Sequence, residues 1–462
     1  MKNLNKLLLS FLIAAGIFIG CDTKTELNAP AAPPTGAANF SKFVSIGNSL
    51  TAGLQSNALY ESSQANSFGA LIARQVQTSY EQPLISDPGL GGRMEVVSLS
   101  PFVSTINTTP GQPLNTNYGA AYNNMGIPGA LLPDVLLATS SETSLSGSPM
   151  FDLILRGQGT ALQQALSLNP TFMTVWVGNN DILGHAANGG AIPHTPTQIF
   201  SQLYAQLMGA LAQSGTKAAV ANIPDITTIP FFTTVGPGLG LALKELQQQN
   251  SQVQGLVFEL STGNPPIGLA TPDDLIALQH LIPLNASFAT DYLGDQTGKY
   301  YSDNGIPVPP YVDTNYPFGL TPQNPWPNRL ILDKPEVINS LDVINSYNAT
   351  IWRETRKYGF ALVDINRELK EIRQNGLSVD GLQFTSAYGT GGLFSLDGVH
   401  PTTRGYGIIA NKFIYTINNH YGAQIQGINI STLPASLELS NASLGKYGIP
   451  KVSKDILDIF NY

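Results

Sequence analysis

The residues with the most chemical potential lie near the two ends of the chain. Ile46-Gly47-Asn48-Ser49-Leu50-Thr51-Ala52-Gly53 puts a serine directly after an apolar, strand-like run. Ligands of parallel sheets bind beyond the carboxyl ends of the strands, where a nucleophile is expected, and a helix starting there favours developing negative charge. For an isolated strand–Gly–x–Ser turn, however, a plain turn or helix-cap serine is the stronger reading. Asp397-Gly-Val-His400-Pro-Thr supplies the other half of the chemistry. A serine hydroxyl needs a base to take its proton, and histidine titrates in the right range. An aspartate three residues earlier can hold the imidazole in one tautomer. Of the five histidines, only His400 has this arrangement.

Two further segments offer donors for an oxyanion. Val177-Gly178-Asn179-Asn180-Asp181 ends the strongest buried strand pattern, and an asparagine there can aim its amide at negative charge, although Asn-Asn-Asp also favours a simple turn. Asn124-Met-Gly126-Ile-Pro-Gly129 is a glycine-rich turn whose backbone N–H groups can act likewise. No Gly-x-Ser-x-Gly elbow occurs. Asp181, His185 and His194 show neither helical His spacing nor a standard zinc pattern. The reading implies no metal and no cofactor.

The elements that must position these residues alternate between strand and helix. Strands are expected over Phe40–Ile46, Met94–Leu99, Thr171–Val177, Lys217–Ile223 and Phe360–Ile365. Helices are expected over Ser67–Val76, Ala161–Leu168, Ile199–Gln213 and Val337–Tyr358, and from Pro401 through Tyr406–Ile417. Such alternation predicts an α/β fold with a parallel sheet covered on both faces. Two stretches exceed a minimal domain: 77–120, rich in Gly and Pro, and 225–333, with helical patterns near Leu241–Leu260 and Pro272–Leu281. Connections this long build lids or binding loops.

The four segments together, in this order, resemble the SGNH hydrolases, the GDSL-like esterases and lipases, over residues 43–415. The resemblance implies a flavodoxin-like three-layer α/β/α sandwich around a parallel sheet. It implies Ser49 as nucleophile, His400 as base and Asp397 as its partner. The oxyanion hole would be the Ser49 and Gly129 N–H groups with the Asn180 side chain. One departure stands out: the acidic residue of the GDSL pattern is Asn48 here. The implied substrate is a carboxylic ester, a lipid or an acylated glycan, with polysaccharide deacetylation and a non-catalytic glycan- or lipid-binding surface protein as the alternatives.

The chain has 462 residues, 42% of them hydrophobic, enough for a substantial core. With a formal charge of −8 and no stretch of five or more like charges, it lacks the clustered Lys and Arg of a nucleic-acid binder. Residues 1–20 read as a signal peptide, with Lys2 and Lys6 before an apolar run from Leu7 to Ile19. Cys21, the only cysteine, sits where a bacterial lipobox places its lipidated residue. Residues 21–39 then read as a flexible tether and 40–462 as the hydrolase domain. The expectation is a lipid-anchored protein of the bacterial cell envelope, without disulfides or thiolate metal sites.

Overall fold

Five short strands, each buried along most or all of its length, form one parallel sheet: β1 (Phe43–Gly47), β2 (Asn124–Gly126), β3 (Phe172–Trp176), β4 (Lys217–Ala221) and β5 (Ala361–Val363). Their spatial order is β2-β1-β3-β4-β5, with Ser45 paired to Asn124 and Thr174, Thr174 to Ala219, and Val220 to Leu362. This is the flavodoxin-like order, whose switch point lies between β1 and β3. The computed structural model describes residues 31–261, 267–435, 437, 444–445 and 447–454. The signal-peptide and Cys21 readings lie outside the described residues. The described residues from Pro33 onward belong to one compact unit.

Seven helices position the site or cover the sheet: α1 (Ser49–Ala52), α2 (Phe68–Gln75), α3 (Asn180–Ala187), α4 (Thr197–Gln213), α5 (Lys334–Lys357), α6 (Ile365–Asn375) and α7 (Thr403–Tyr421). Alternate residues of β3 face opposite layers, as a pleated strand requires. Trp176 packs against Phe68 of α2 and Phe413 of α7, and Phe172 against Tyr421 of α7. The other face is covered by α4 and α5, where Phe200 stacks on Tyr347 at 3.8 Å. Burial on both faces explains why β1 and β3 read as apolar runs rather than as alternating patterns.

Several local expectations are corrected. Asn124–Gly126, read as a turn, is the edge strand β2, because three residues with one apolar side chain carry no strand signal until β1 pairs with them. Met94–Leu99 does not join the central sheet; Arg93–Leu99 pairs antiparallel with Phe102–Asn107 in a separate hairpin. The helical pattern from Leu241 to Leu260 splits into a helix, Val235–Gln249, and a strand, Leu256–Glu259, paired with Ile267–Ala270. The tether also ends early. Pro34 and Ala37 hydrogen-bond the backbone at Gln424 and Tyr421, and Ala38 is buried.

Candidate active site

Ser49 is the first residue of α1, set at the carboxyl end of β1 by an abrupt strand-to-helix turn. The turn needs Gly47, since a Cβ there would run into the Trp176 carbonyl and the Thr51 hydroxyl. Asn48 caps the helix by accepting the Leu50 N–H at 3.1 Å. The amide oxygen thus does the capping that a carboxylate would do in the GDSL pattern, without its charge. This gives the departure at position 48 a structural role that survives the loss of the acid.

His400 arrives from a loop just ahead of α7, 351 positions away in sequence. The Thr402 hydroxyl oxygen caps α7 by accepting the Gly405 N–H, the Thr402 N–H donates to the Leu393 carbonyl, and the His400 carbonyl accepts the Ser395 N–H at 2.7 Å, so the histidine is held on both sides. Its Nε2 lies 2.8 Å from Ser49 Oγ, and its Nδ1 3.0 Å from Asp397 Oδ2. With Nδ1–H donating to the carboxylate, Nε2 is the acceptor for the serine hydroxyl.

Asp397 is wholly buried and accepts four hydrogen bonds. They come from His400 Nδ1 and N–H, from Val399 N–H at 2.9 Å, and from Asn57 N–H at 2.7 Å. Burial by itself pushes this carboxyl up; the His400 charge and the hydrogen bonds outweigh it and hold the group below its ordinary value. Asn57 was not foreseen from sequence. Its left-handed backbone (φ 66°) and its amide bonds to the Gly91 and Gly92 carbonyls aim the N–H at Asp397. The 77–120 stretch therefore serves the site by bracing Asn57. The only sequence signal was Ser-Asn, a pair that tolerates such turns.

The oxyanion-side residues also converge. Asn180 opens α3 beyond β3 and donates from Nδ2 to the Ala130 carbonyl at 3.0 Å. That bond ties it to the turn containing Gly129, whose φ of 87° favours glycine. Asp181, next in line, accepts the Leu132 N–H at 2.8 Å and the Thr195 hydroxyl at 2.7 Å, while burial raises its carboxyl to about 6. It fastens α3 to the segment after β2, so its work is structural. His185 and His194 are ring neighbours at 5.3 Å, and His185 Nδ1 lies 2.7 Å from the Ile192 carbonyl oxygen. Among the described residues, no group of three His, Cys, Asp or Glu side chains is arranged to hold a metal ion.

Residues 43–265 match the model of the GDSL-like Lipase/Acylhydrolase family. The chain carries a GDSL-like hydrolase domain. No curated protein matches it. The parallel sheet with helices on both faces is the SGNH-type α/β fold expected from sequence. The match contains Ser49, Gly129 and Asn180 but ends before Asp397 and His400, which the fold brings to Ser49.

Beside these residues the GDSL-like domain holds a cavity of about 70 Å³ between the strand ends and helices α6 and α7. None of the five site residues lines it, but several of their chain neighbours do. Leu50 follows Ser49, Asn179 precedes Asn180, and Val399 and Pro401 flank His400. Ile223, Ile229 and the aliphatic faces of α6 and α7 complete a lining that is almost entirely apolar. The long insertion reaches the loop of the site, where Phe231 N–H donates to the Gly398 carbonyl at 2.9 Å. Most of its aromatic cluster faces inward. Tyr300, Tyr301, Phe318 and Trp326 are buried against one another, while Tyr311 and Tyr316 are exposed. The larger portion of that cluster is the insertion's own core, not a lining.

Proposed function

We propose that this protein is a serine hydrolase that cleaves carboxylic esters through an acyl-enzyme on Ser49. The observation that carries the reading is the continuous line Ser49 Oγ–His400 Nε2 and His400 Nδ1–Asp397 Oδ2, at 2.8 and 3.0 Å. In the first half-reaction Ser49 Oγ bonds to the ester carbonyl carbon as its proton passes to His400 Nε2. The carbonyl oxygen gathers negative charge, which the Ser49 and Gly129 N–H groups and the Asn180 amide stabilise. The carbon–alkoxy bond then breaks, and the leaving alcohol takes the proton from His400. Water attacks the acyl-enzyme with His400 again as base, releasing the acid and restoring the serine. Asp397 keeps the imidazole oriented and stabilises its cationic form throughout.

A complete hydrogen-bonded line of this kind weighs against the binding-only reading. The test is labelling with a fluorophosphonate, alongside hydrolysis of p-nitrophenyl acetate. Both should occur in the wild type and vanish in Ser49→Ala. Hydrolysis that survives in a folded Ser49→Ala protein overturns the reading.

The same proposal puts the domain in the cell envelope, tethered by a lipid on Cys21. It is supported by the cationic and apolar segments ahead of that lone cysteine. A fatty-acid analogue should label the wild type and not Cys21→Ala; label retained on the mutant overturns the anchor.

A further inference from the structure

Four consecutive residues join the segment of the nucleophile to the segment of the base. The Leu54 carbonyl accepts the Tyr406 hydroxyl of α7 at 2.7 Å, and Gln55 Oε1 accepts the Thr403 hydroxyl at 3.3 Å. Ser56 N–H donates to Ser395 Oγ at 2.8 Å, and Asn57 N–H to Asp397 Oδ2 at 2.7 Å. Leu54, Ser56, Asn57, Ser395 and Tyr406 are all buried. The row exists because Ser56 and Asn57 are the centre of a two-residue hairpin turn, both with positive φ (51° and 66°). The turn's own bonds run between Gln55 and Ala58, so the two central N–H groups are left to reach the other segment. Met94 N–H on the Ser56 carbonyl, at 2.8 Å, braces the turn from outside. At its other end the row returns to the nucleophile, where Leu54 N–H donates to the Ser49 carbonyl at 3.1 Å.

We propose, resting on the ester-hydrolase reading, that the row Leu54–Asn57 sets the separation of Ser49 Oγ and His400 Nε2, with Tyr406, Ser395 and Asn57 as positioning residues for the reaction. The need is geometric. Ser49 stands on a turn after β1 and His400 on a loop before α7, and neither segment by itself fixes its distance from the other. The Val399 and His400 N–H bonds to Asp397 shape the base's loop from within and do not tie it to Ser49. The four bonds from 54–57 do tie it. Two hold the loop at Ser395 and Asp397, ahead of His400, and two hold the start of α7 at Thr403 and Tyr406, behind it. A misplacement of about 1 Å between reacting groups can cost on the order of 10²-fold in rate. Losing these bonds should therefore lower kcat, although each acts through Ser49 or His400.

The experiment compares two hydroxyl deletions on one helix. Tyr406→Phe removes the bond to Leu54. Tyr421→Phe removes a bond of the same kind, to the Ala218 carbonyl at 2.8 Å, near the amino end of β4 and so at the opposite end of the sheet from the site. The substrate is p-nitrophenyl acetate, at a temperature where circular dichroism shows each variant folded. Tyr406→Phe and Ser395→Ala should each lower kcat by about tenfold with KM nearly unchanged, and together by about 10²-fold. Where the double variant does not fold, the two single variants decide. Tyr421→Phe should keep the wild-type kcat. Asn57→Gly and Asn57→Ala both lose the amide bonds to Gly91 and Gly92, but only glycine takes a φ of 66° without strain, so Asn57→Gly should keep more of the rate. Folded Tyr406→Phe and Ser395→Ala proteins with wild-type kcat, a change in KM alone, or an equal loss in Tyr421→Phe overturns the inference while leaving the hydrolase intact. Absence of turnover in the wild type, with no fluorophosphonate labelling, takes down the hydrolase reading as well.

Discussion

The catalytic line and the cavity beside it share a boundary yet are built on opposite terms. Ser49 Oγ, both His400 ring nitrogens and both Asp397 oxygens are hydrogen-bonded. In the cavity wall, Asn179 has both side-chain amide atoms buried without a partner, and nearly everything around it is aliphatic. Chemistry demands the first arrangement, because a hydroxyl and an imidazole must be held within hydrogen-bond distance before any substrate arrives. Apolar packing produces the second, because aliphatic side chains offer only shape and apolar area. The contrast teaches that a fully hydrogen-bonded line and an apolar wall can be one residue apart in sequence: Ser49 and Leu50, Asn180 and Asn179, His400 and Val399.

The most drastic way to break this division is at the nucleophile. Ser49→Ala should lower kcat by about 10⁶-fold with the circular dichroism unchanged, since it removes one member of a single catalytic unit. Near wild-type turnover would end the assignment.

Asp397→Asn should cost about 10⁴-fold in kcat, because an amide cannot hold the imidazole in the required tautomer. It also carries a stability signature. A carboxyl held low in the fold contributes stability above its unfolded value of about 4, and that contribution is lost as the pH falls through the lower folded value. Acid unfolding should therefore become less steep in Asp397→Asn. An unchanged acid limb would mean that the buried carboxylate does not act as its four bonds imply.

Asn180→Ala should reduce kcat by about 10²- to 10³-fold with little change in KM, the mark of a donor used in the transition state. A change in KM alone would move Asn180 to the binding side of the comparison.

The smallest expected effect sharpens the contrast from the cavity side. Asn179→Leu replaces a buried, unpaired amide with an apolar group of similar size and should raise stability by about 1 kcal/mol. Denaturant unfolding that shows a loss of that size would mean the amide is satisfied after all.

Legibility differed between regions for physical reasons. Ser49 and Asn180 could be found because each follows a buried strand, and a run such as Phe172–Trp176 announces itself in five residues. Asn57 could not, because it acts through a backbone N–H, which every residue but proline has, and only its left-handed turn aims it. Strand β2 was hidden because its conformation comes from pairing with β1 rather than from its own side chains. The insertion's aromatics were visible as a cluster, yet composition does not tell a lining from a core. Packing places Tyr300 and Trp326 against Phe318, inside.

By itself the sequence determined the α/β class and the order of the four segments, and through their resemblance to SGNH hydrolases it nominated Ser49, Asp397, His400, Gly129 and Asn180. The class depends on local periodicity, and the nominations on residue types in that order. Tertiary structure alone decided that His400 meets Ser49 across 351 positions and that Asn57 supports Asp397 across 340. It alone decided that an apolar space with Glu368 and Lys412 in its wall lies between the strand ends and helices α6 and α7. Distances between remote segments and the volume left between helices arise from packing the whole chain, and no local pattern encodes them.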